Sequence, residues 1–230
     1  MNHNIAFVQA RMGSKRFPGK MTKKLGEFTL LEWVLIRLKK SKLLNQIILT
    51  TSTNKENDEL ISYAKKLNID FFRGEENNVL NRFTEASLKY KPINVIRVCG
   101  DNPFIDGNEI DKLINFFQMN SCDYAFNHLN KLNSNYADGF GAEITSFEIL
   151  IRLNKVAKDN DDREHIFNYI WKNQTKFRIK PLKANRELAY PNLKFDIDTE
   201  EDFQKINNLV NKGVRLDSKA SDIIKINQLN

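Results

Sequence analysis

The sequence is poor in cysteine and lacks any long apolar run. Its two cysteines, Cys99 and Cys122, lie in separate apolar segments, which predicts buried thiols in a reducing cytoplasm, and their spacing supports no redox or metal role. No apolar run approaches the roughly 18 residues of a membrane span. The N-terminus lacks the apolar region of a signal peptide, because Gln9 and Arg11 follow almost at once. We therefore expect a cytoplasmic protein with no membrane partner.

The composition is that of an ordinary globular protein with a basic balance. The 230 residues are 41% hydrophobic and 28% charged, enough for one large domain, or one domain with an added arm. The formal net charge of +7 suits nucleic acid, an anionic surface or a polyanionic small substrate. It also suits a Lys- and Asn-rich chain with a solvated basic face. Charge alone does not decide between these partners.

Strand-like and helix-like segments alternate along the chain, which predicts an α/β fold with a mostly parallel sheet covered on both faces. The predicted strands are residues 5–8, 46–51, 69–72, 93–99, 123–126, 142–145, 177–182 and 193–197. The predicted helices are residues 29–41, 57–67, 79–89, 109–119, 147–156, 162–171, 199–211 and 218–226. Residues 127–141 are polar and Asn-rich, and we expect an inserted arm there. No repeat or long low-complexity linker divides the chain, so we expect one domain over residues 1–230.

A cationic loop follows the first predicted strand. Arg11, Lys15, Arg16 and Lys20 lie in a turn-rich segment with two glycines, a serine and a proline. Open α/β sheets bind phosphate-rich ligands at the carboxyl ends of their strands. The segment is not a Walker A loop, because its two glycines are one residue too far apart and Met21 follows Lys20. A Gly-x-Gly-x-x-Gly motif is also absent. A cradle for a triphosphate and a merely exposed basic loop both remain open, and the position after the first strand favours the cradle.

Two aspartates follow later predicted strands. Asp101 stands in a Gly-Asp-Asn-Pro turn, and Asp198 ends the run Phe-Asp-Ile-Asp. Asp101 is consistent with an Asx turn, and Asp198 with a helix cap. Two acidic strand ends facing a four-cation loop are also the arrangement of metal-assisted transfer at a nucleoside triphosphate, since Mg²⁺ prefers carboxylate oxygens near phosphates.

The same motifs resemble a known family. Residues 8–20, Val-Gln-Ala-Arg-Met-Gly-Ser-Lys-Arg-Phe-Pro-Gly-Lys, look like the loop of the cytidylyltransferases that make CMP-activated acidic sugars. They are most similar to the spore-coat-polysaccharide branch, whose loop reads Gln-Ala-Arg-Met-Gly-Ser-x-Arg-Leu-Pro-Gly-Lys. Further matches follow in the family's order at residues 72–75, 79–83, 100–106, 138–139, 163–165 and 198–203. The resemblance therefore runs over nearly the whole chain.

The resemblance implies a Rossmann-like nucleotidyltransferase fold, a Mg²⁺ cofactor and a homodimer. By position, Lys20, Arg16 and Asp101 would be catalytic, and Asp101 and Asp198 would hold the metal. The implied nucleotide-binding residues are Ala10, Arg11, Gly13, Ser14, Lys15, Thr51 and Arg82. The implied acceptor-binding residues are Asp138, Glu143, Arg163 and His165; a lone histidine is more often structural. One departure, Gly-Phe-Gly at residues 139–141 where the branch more often shows Gly-Leu-Asp, leaves the acceptor unidentified.

We therefore expect a Mg²⁺-dependent cytidylyltransferase that transfers CMP from CTP to an acidic or phosphorylated sugar for surface glycan assembly. Another nucleoside triphosphate or a non-sugar phosphate acceptor, such as a polyol phosphate, is the alternative within the same fold. Outside enzymes, the alternatives are a nucleotide-sensing pseudoenzyme and a basic nucleic-acid-binding protein. The cations do not alternate with stacking aromatics as in single-strand binders, so we expect no nucleic-acid partner. Both metal carboxylates are present, which argues against a nucleotide-sensing pseudoenzyme.

Overall fold

The computed structural model describes residues 3–229, and strands and helices alternate through most of that range. The first half contains β1 (Asn4–Gln9), β2 (Lys24–Leu25), β3 (Phe28–Thr29), α1 (Leu30–Leu38), β4 (Gln46–Ser52), α2 (Asp58–Lys66), β5 (Asp70–Gly74), α3 (Val79–Tyr90), β6 (Asn94–Cys99) and α4 (Gly107–Met119). The second half contains β7 (Tyr124–Phe126), β8 (Glu143–Ser146), α5 (Phe147–Val156), α6 (Asn160–Glu164), α7 (Asn168–Lys172), β9 (Ile179–Pro181), α8 (Glu200–Asn211) and α9 (Ala220–Gln228).

Seven strands form one mostly parallel sheet in the order β5-β4-β1-β6-β8-β7-β9. β1 pairs in parallel with both β4 and β6, whereas β8 runs antiparallel to β6 and β7. The chain steps from β1 to β4 and β5 on one side and then returns to β6 on the other. A crevice at the carboxyl ends of β1 and β6 follows from this change of direction, because the loops after the two strands leave in different directions. The predicted α/β fold with a mostly parallel sheet is confirmed.

The central strands are buried on both faces, which explains why they read as almost continuous apolar runs. In β1, Ala6 and Val8 face one apolar cluster while Ile5 and Phe7 face the other. The helix after the first loop begins with a capping box, in which Thr29 Oγ1 accepts a hydrogen bond from Glu32 N and Glu32 Oε2 accepts one from Thr29 N.

The prediction of one helix over residues 162–171 is wrong. The chain forms α6 and α7, separated at His165 by an extended backbone with φ −108° and ψ 91°. The break allows Ile166 and Phe167, which are 1% and 3% exposed, to enter the core together. Neighbouring positions on one regular helix would point about 100° apart and bury less of one of them.

The predicted strand at residues 193–197 is also absent. This segment makes one isolated bridge, between Lys194 and Asp138. The amide of Phe195 donates to Asp138 O, and the amide of Ile197 donates to Asp101 O. The segment therefore runs along irregular backbone, so its apolar alternation reflects burial of Phe195 and Ile197 rather than a sheet strand.

Residues 127–141 contain no helix or strand, and Leu132, Asn133 and Asn135 have positive φ values. Several members of this segment are nonetheless buried, including Tyr136 and Phe140. Cys99 and Cys122 are free thiols and only half-buried, whereas the sequence predicted buried ones. Across residues 3–229, no helix is both long and apolar enough to cross a membrane.

Candidate functional site

The loop after β1 folds back on itself. Met12 O accepts hydrogen bonds from Ser14 N at 2.8 Å and from Gly19 N at 3.2 Å. Asn57 Oδ1 accepts from Met12 N at 2.8 Å and so ties the loop to the start of α2. Gly19 has φ +68°, a conformation that costs a residue with a side chain more than it costs glycine. These bonds present the cationic side chains as one concave surface.

Lys20 lies at the centre of the site and is 7% exposed. Its Nζ donates to Asp101 Oδ2 at 3.1 Å, to Asp198 Oδ1 at 3.4 Å and to Ile197 O at 2.5 Å. Arg16 Nη2 makes a second ion pair with Asp198 at 2.9 Å. Asp101 and Asp198, which lie far apart in the sequence, therefore both contact the ammonium group of Lys20.

Backbone contacts fix Asp101 beside the first loop. Gly100 N donates to Gln9 O at 2.9 Å, directly across the ends of β1 and β6. A Cβ on Gly100 would lie 2.7 Å from that carbonyl oxygen and 2.9 Å from Ala10 Cβ. The absence of a side chain at this glycine therefore allows the two strand ends to approach.

Asp198 is held by the first turn of α8. Its amide donates to Asp202 Oδ2 at 3.2 Å, and the same carboxylate accepts from Thr199 N at 2.9 Å. Thr199 caps the helix in return. Thr199 therefore takes the N-cap role that the sequence allowed for Asp198, and the Asp198 carboxylate is left for Lys20 and Arg16.

The loop and the two aspartates line a cleft of about 470 Å³. Ten of the sequence-predicted site residues line it: Ala10, Arg11, Ser14, Lys15, Arg16, Lys20, Arg82, Asp101, His165 and Asp198. Six cationic side chains and three carboxylates line its walls, so the cleft favours a polyanion.

Five predicted residues do not line this cleft: Gly13, Thr51, Asp138, Glu143 and Arg163. Thr51 is fully buried, and its Oγ1 has no hydrogen-bond partner within residues 3–229. Glu143 is also buried. The guanidinium of Arg163 instead donates to Asn154.

Arg82 is 1% exposed, yet it reaches the cleft wall. Its Nη1 donates to Glu75 O at 2.8 Å and to Glu76 O at 3.3 Å, which fixes the turn after β5. Its Nε has no hydrogen-bond partner among the described residues. Burial, with the nearby charge of Arg11, lowers the pKa of Arg82 to about 10. Arg82 therefore adds a positive charge to the cleft wall, which favours an anionic ligand.

Arg11 spans the cleft opening. Its guanidinium lies 3.6 Å from a carboxylate oxygen of Glu76 and 3.6 Å from one of Glu164. The side chain is 38% exposed, and pairs of this kind contribute little to stability because water competes for them. Arg11 can therefore exchange these carboxylates for a ligand at small cost.

A second group of carboxylates lies close to Asp101. Burial and the neighbouring Asp196 raise the pKa of Asp138 to about 7. Burial and Asp101 also raise the pKa of Asp196. The carboxylates of Asp101, Asp138 and Asp196 therefore disfavour one another's charged forms.

The arrangement fits a hard divalent cation. Two carboxylates and the carbonyl of Ile197 direct three oxygen atoms at one cationic nitrogen, and oxygen is the donor type that Mg²⁺ prefers. In the described part of the chain, no three His, Cys, Asp or Glu side chains cluster closely enough to hold a metal. A cation held by Asp101 and Asp198 would therefore need further oxygens from phosphate or water.

The sequence reasoning missed several residues of the cleft, of which Arg97, Gln9 and Glu164 are polar. A signal for Arg97 was available, because a charge inside an otherwise apolar central strand needs a partner. Gln9 and Glu164 gave no such signal. A second cavity of about 660 Å³, lined by residues that include Trp33 and Val210, contains none of the predicted site residues.

One family model and several known proteins match this chain over most of its length. The family model described as Cytidylyltransferase matches residues 5–227. The chain is 36% identical to an uncharacterised protein of Methanocaldococcus jannaschii over 92% of this chain and 87% of that protein. It is 32% identical to the spore coat polysaccharide biosynthesis protein SpsF of Bacillus subtilis, over 98% of this chain and 94% of SpsF.

Solved structures show the same fold. A cytidylyltransferase from Leptospira borgpetersenii superposes with a TM-score of 0.93 at 27% identity, covering 100% of this chain and 95% of that one. A CMP:2-keto-3-deoxy-manno-octonic acid synthetase solved in complex with CTP superposes with a TM-score of 0.69 at 13% identity, covering 93% of this chain and 100% of that one. At that identity the second match speaks only for the fold.

Proposed function

Because the chain belongs to the cytidylyltransferase family, in its SpsF-type branch, and is a nucleotidyltransferase, we propose that it transfers CMP from CTP to an acidic or phosphorylated sugar. The reaction would use Mg²⁺ and release pyrophosphate, and its product would serve surface polysaccharide assembly. The observation that carries the proposal is the meeting of Asp101 and Asp198 on Lys20, at the end of the cationic loop. The near full-length similarity to SpsF supports the polysaccharide context.

The triphosphate of CTP would lie along the cationic loop. Lys15, Arg16 and Lys20 line the cleft there, with Ser14 as a neutral donor. Their charges would offset the negative charge that builds on the phosphates in the transition state, an electrostatic effect worth several kcal/mol, roughly 3–4 per removed donor in comparable sites. Lys20 would do this best, since its burial limits screening by water.

Asp101 and Asp198 would hold the Mg²⁺. The ion would neutralise phosphate charge and make the α-phosphorus more electrophilic. Lys20 would then exchange its carboxylate partners for a phosphate oxygen.

The base of CTP would lie against the backbone of Ala10 and Arg11, near Arg82. The placement of Ala10, Arg11 and Arg82 around one cleft supports this. Thr51 would support the base site from beneath the cleft surface. Its buried hydroxyl has no hydrogen-bond partner in the described residues.

The acceptor would enter on the side of His165, which lines the cleft. An acceptor oxygen would attack the α-phosphorus in line, forming the new P–O bond as the bond to pyrophosphate breaks, and its proton would leave to solvent. Glu143, Asp138 and Arg163 would act on the acceptor only through intervening groups.

The test is pyrophosphate release from a panel of nucleoside triphosphates and acceptors with Mg²⁺. The panel contains 3-deoxy sugar acids, sugar 1-phosphates and a polyol phosphate. We expect release with CTP and a sugar acid or sugar phosphate. Absence of release from every pair would count against the enzyme, whereas release only with another nucleotide or with the polyol phosphate would establish one of the alternatives.

Nucleotide preference has a separate test that needs no acceptor. A ligand that binds only the folded state raises the apparent stability. We expect CTP with Mg²⁺ to raise Tm more than ATP, GTP or UTP does. An equal shift from all four would favour a nucleotide site without base selection.

We further propose that the protein acts as a cytoplasmic homodimer of single-domain subunits, and that residues 127–141 contribute to the subunit contact. The family resemblance supports this proposal. Light scattering coupled to size-exclusion chromatography measures the subunit number directly, and a monomer at micromolar concentration would contradict it.

A further inference from the structure

Arg97 is a charged residue in the middle of the sheet. It lies on β6 opposite Phe7 of β1 and Glu143 of β8. Its side chain is 20% exposed and lines the cleft. A charge in a central strand costs desolvation free energy unless it is paired, so both its partners and its access to the cleft need an explanation.

Two contacts fix one side of the Arg97 guanidinium. Its Nε donates to Gln9 Oε1 at 3.1 Å, and its Nη1 pairs with Glu143. Glu143 is itself 5% exposed and accepts from the hydroxyl of Tyr124. Arg97 Nη2 makes no hydrogen bond with any residue from 3 to 229. Gln9 and Glu143 therefore fix the orientation of the guanidinium, which keeps free N–H groups.

Stability alone does not account for this pair, because well-packed apolar residues usually replace a buried ion pair without loss. Held guanidinium groups with free N–H donors are a common way to bind oxyanions. Glu143 offsets much of the charge of Arg97, so the pair suits a singly charged carboxylate better than a phosphate dianion. The cations of residues 11–20 are suited to the phosphates instead.

We propose that Arg97 binds the carboxylate of the acceptor sugar. Gln9 and Glu143 act as positioning residues that orient the guanidinium. This inference rests on the proposed function, and it narrows the acceptor from an acidic or phosphorylated sugar to a sugar acid. His165, on whose side the acceptor would enter, lines the same cleft as Arg97.

The experiment uses the full chain and the acceptor that the panel identifies. In the variant Arg97→Gln/Glu143→Gln, both charges are removed together, so no buried charge is left unpaired. We expect the KM for a sugar-acid acceptor to rise about 10–100-fold, the range of a lost charge-assisted hydrogen bond. The kcat and the Kd for CTP should stay within about threefold, because the variant leaves the phosphate loop intact.

The carboxamide of the same sugar separates recognition from structure. Wild-type enzyme should prefer the acid over the carboxamide, and the double variant should lose that preference. If the double variant does not fold, Arg97→Lys keeps the charge without the planar fork, and we expect a KM increase of about tenfold with unchanged kcat. A matched control is Arg178→Gln/Asp123→Asn, which removes an Arg–Asp pair between exposed Arg178 and Asp123 outside the cleft, and its acceptor KM should stay at the wild-type value.

Failure of the inference differs from failure of the proposed function. Turnover only of sugar phosphates without a carboxylate would overturn the role of Arg97 and leave the transferase standing. The role of Arg97 is likewise overturned if the double variant, or Arg97→Lys where the double variant does not fold, keeps the wild-type KM or the acid preference. No turnover of any pair by wild type removes the proposed function, and this inference falls with it.

Discussion

The ammonium nitrogen of Lys20 lies 3.1 Å from Asp101 Oδ2 and only slightly farther from Asp198. Each carboxylate is about one-third exposed, whereas the lysine side chain is 9% exposed. In the protein without ligands, Lys20 is therefore the counter-ion of both aspartates. A divalent cation that uses these carboxylates competes with Lys20, and a triphosphate that attracts Lys20 relieves that competition.

Replacing Lys20 with methionine should tighten divalent binding in the absence of nucleotide. Removal of the ammonium leaves two carboxylates that repel each other, so we expect the Kd for Mn²⁺ to fall at least about tenfold. Titration calorimetry and the electron paramagnetic resonance of free Mn²⁺ measure this. Lys15→Met, which removes a loop cation that makes no ion pair among the described residues, should leave the Kd near wild type. Equal Kd values for Lys20→Met and wild type would contradict the competition.

Replacing either aspartate with asparagine should abolish most activity while the fold survives. Asp101→Asn and Asp198→Asn each remove a charge from the metal site, and we expect pyrophosphate release to fall about 10²–10³-fold. Circular dichroism and Tm report the fold. Asp222→Asn, at a half-exposed position on α9, is the control. Wild-type rates from both site variants would show that the metal assignment is wrong.

Asp138 should make the protein less stable as pH rises. Its folded pKa of about 7 lies above that of an unfolded aspartate, so the folded state binds the proton more tightly between about pH 4 and 7. The stabilisation of the folded state by protonated Asp138 is fully present below about pH 4 and is lost as pH rises through 7.

Asp138→Asn should therefore be more stable than wild type at pH 8, by about 2–4 kcal/mol, and equal to it near pH 4. Urea unfolding in EDTA at pH 4, 6 and 8 measures the difference. Asp222→Asn again provides the control, with a profile parallel to that of wild type. A difference between Asp138→Asn and wild type that does not change with pH would argue against the titration of Asp138.

Gly100→Ala should separate the strand ends that form the crevice. Its Cβ would meet Gln9 O and Ala10 Cβ at under 3 Å, and overpacking of this kind costs about 1–3 kcal/mol. Gly13→Ala is a matched comparison, because its new methyl would meet the end of the flexible Glu56 side chain at 3.0 Å. We expect a lower Tm for Gly100→Ala than for Gly13→Ala, and the reverse order would contradict the close approach.

The parallel part of the fold was predictable because each central strand is a local apolar run. The same reasoning predicted that Lys20 and Asp101 would approach each other, since carboxyl ends of parallel strands share one edge. Asp198 was predicted at the same edge from a strand over residues 193–197 that is absent, and it reaches Lys20 from irregular backbone instead. The resemblance added the base-side residues, of which Ala10, Arg11 and Arg82 line the cleft and Thr51 does not.

The contacts of Glu143 and Arg97 were not predictable in the same way. Their pairing depends on β8 entering antiparallel beside β6, in a register that sets these two residues opposite each other. Nothing local in either segment specifies that register. Residues 193–197 were misread for a related reason, because burial against an irregular segment gives the same apolar alternation as a strand.

The contacts between residues 127–141 and residues 193–197 bear on any attempt to exchange the first segment for that of a relative. Asp138 exchanges backbone hydrogen bonds with Leu193 and Phe195, and a Cβ on Gly139 would lie 2.8 Å from Phe195 Cβ. The chain then continues within three residues to Asp198. Residues 127–141 thus contact the segment that leads to Asp198, a proposed metal ligand. Grafting this segment from a relative to alter specificity would move Asp198 as well, so the segment and residues 193–198 must be exchanged together.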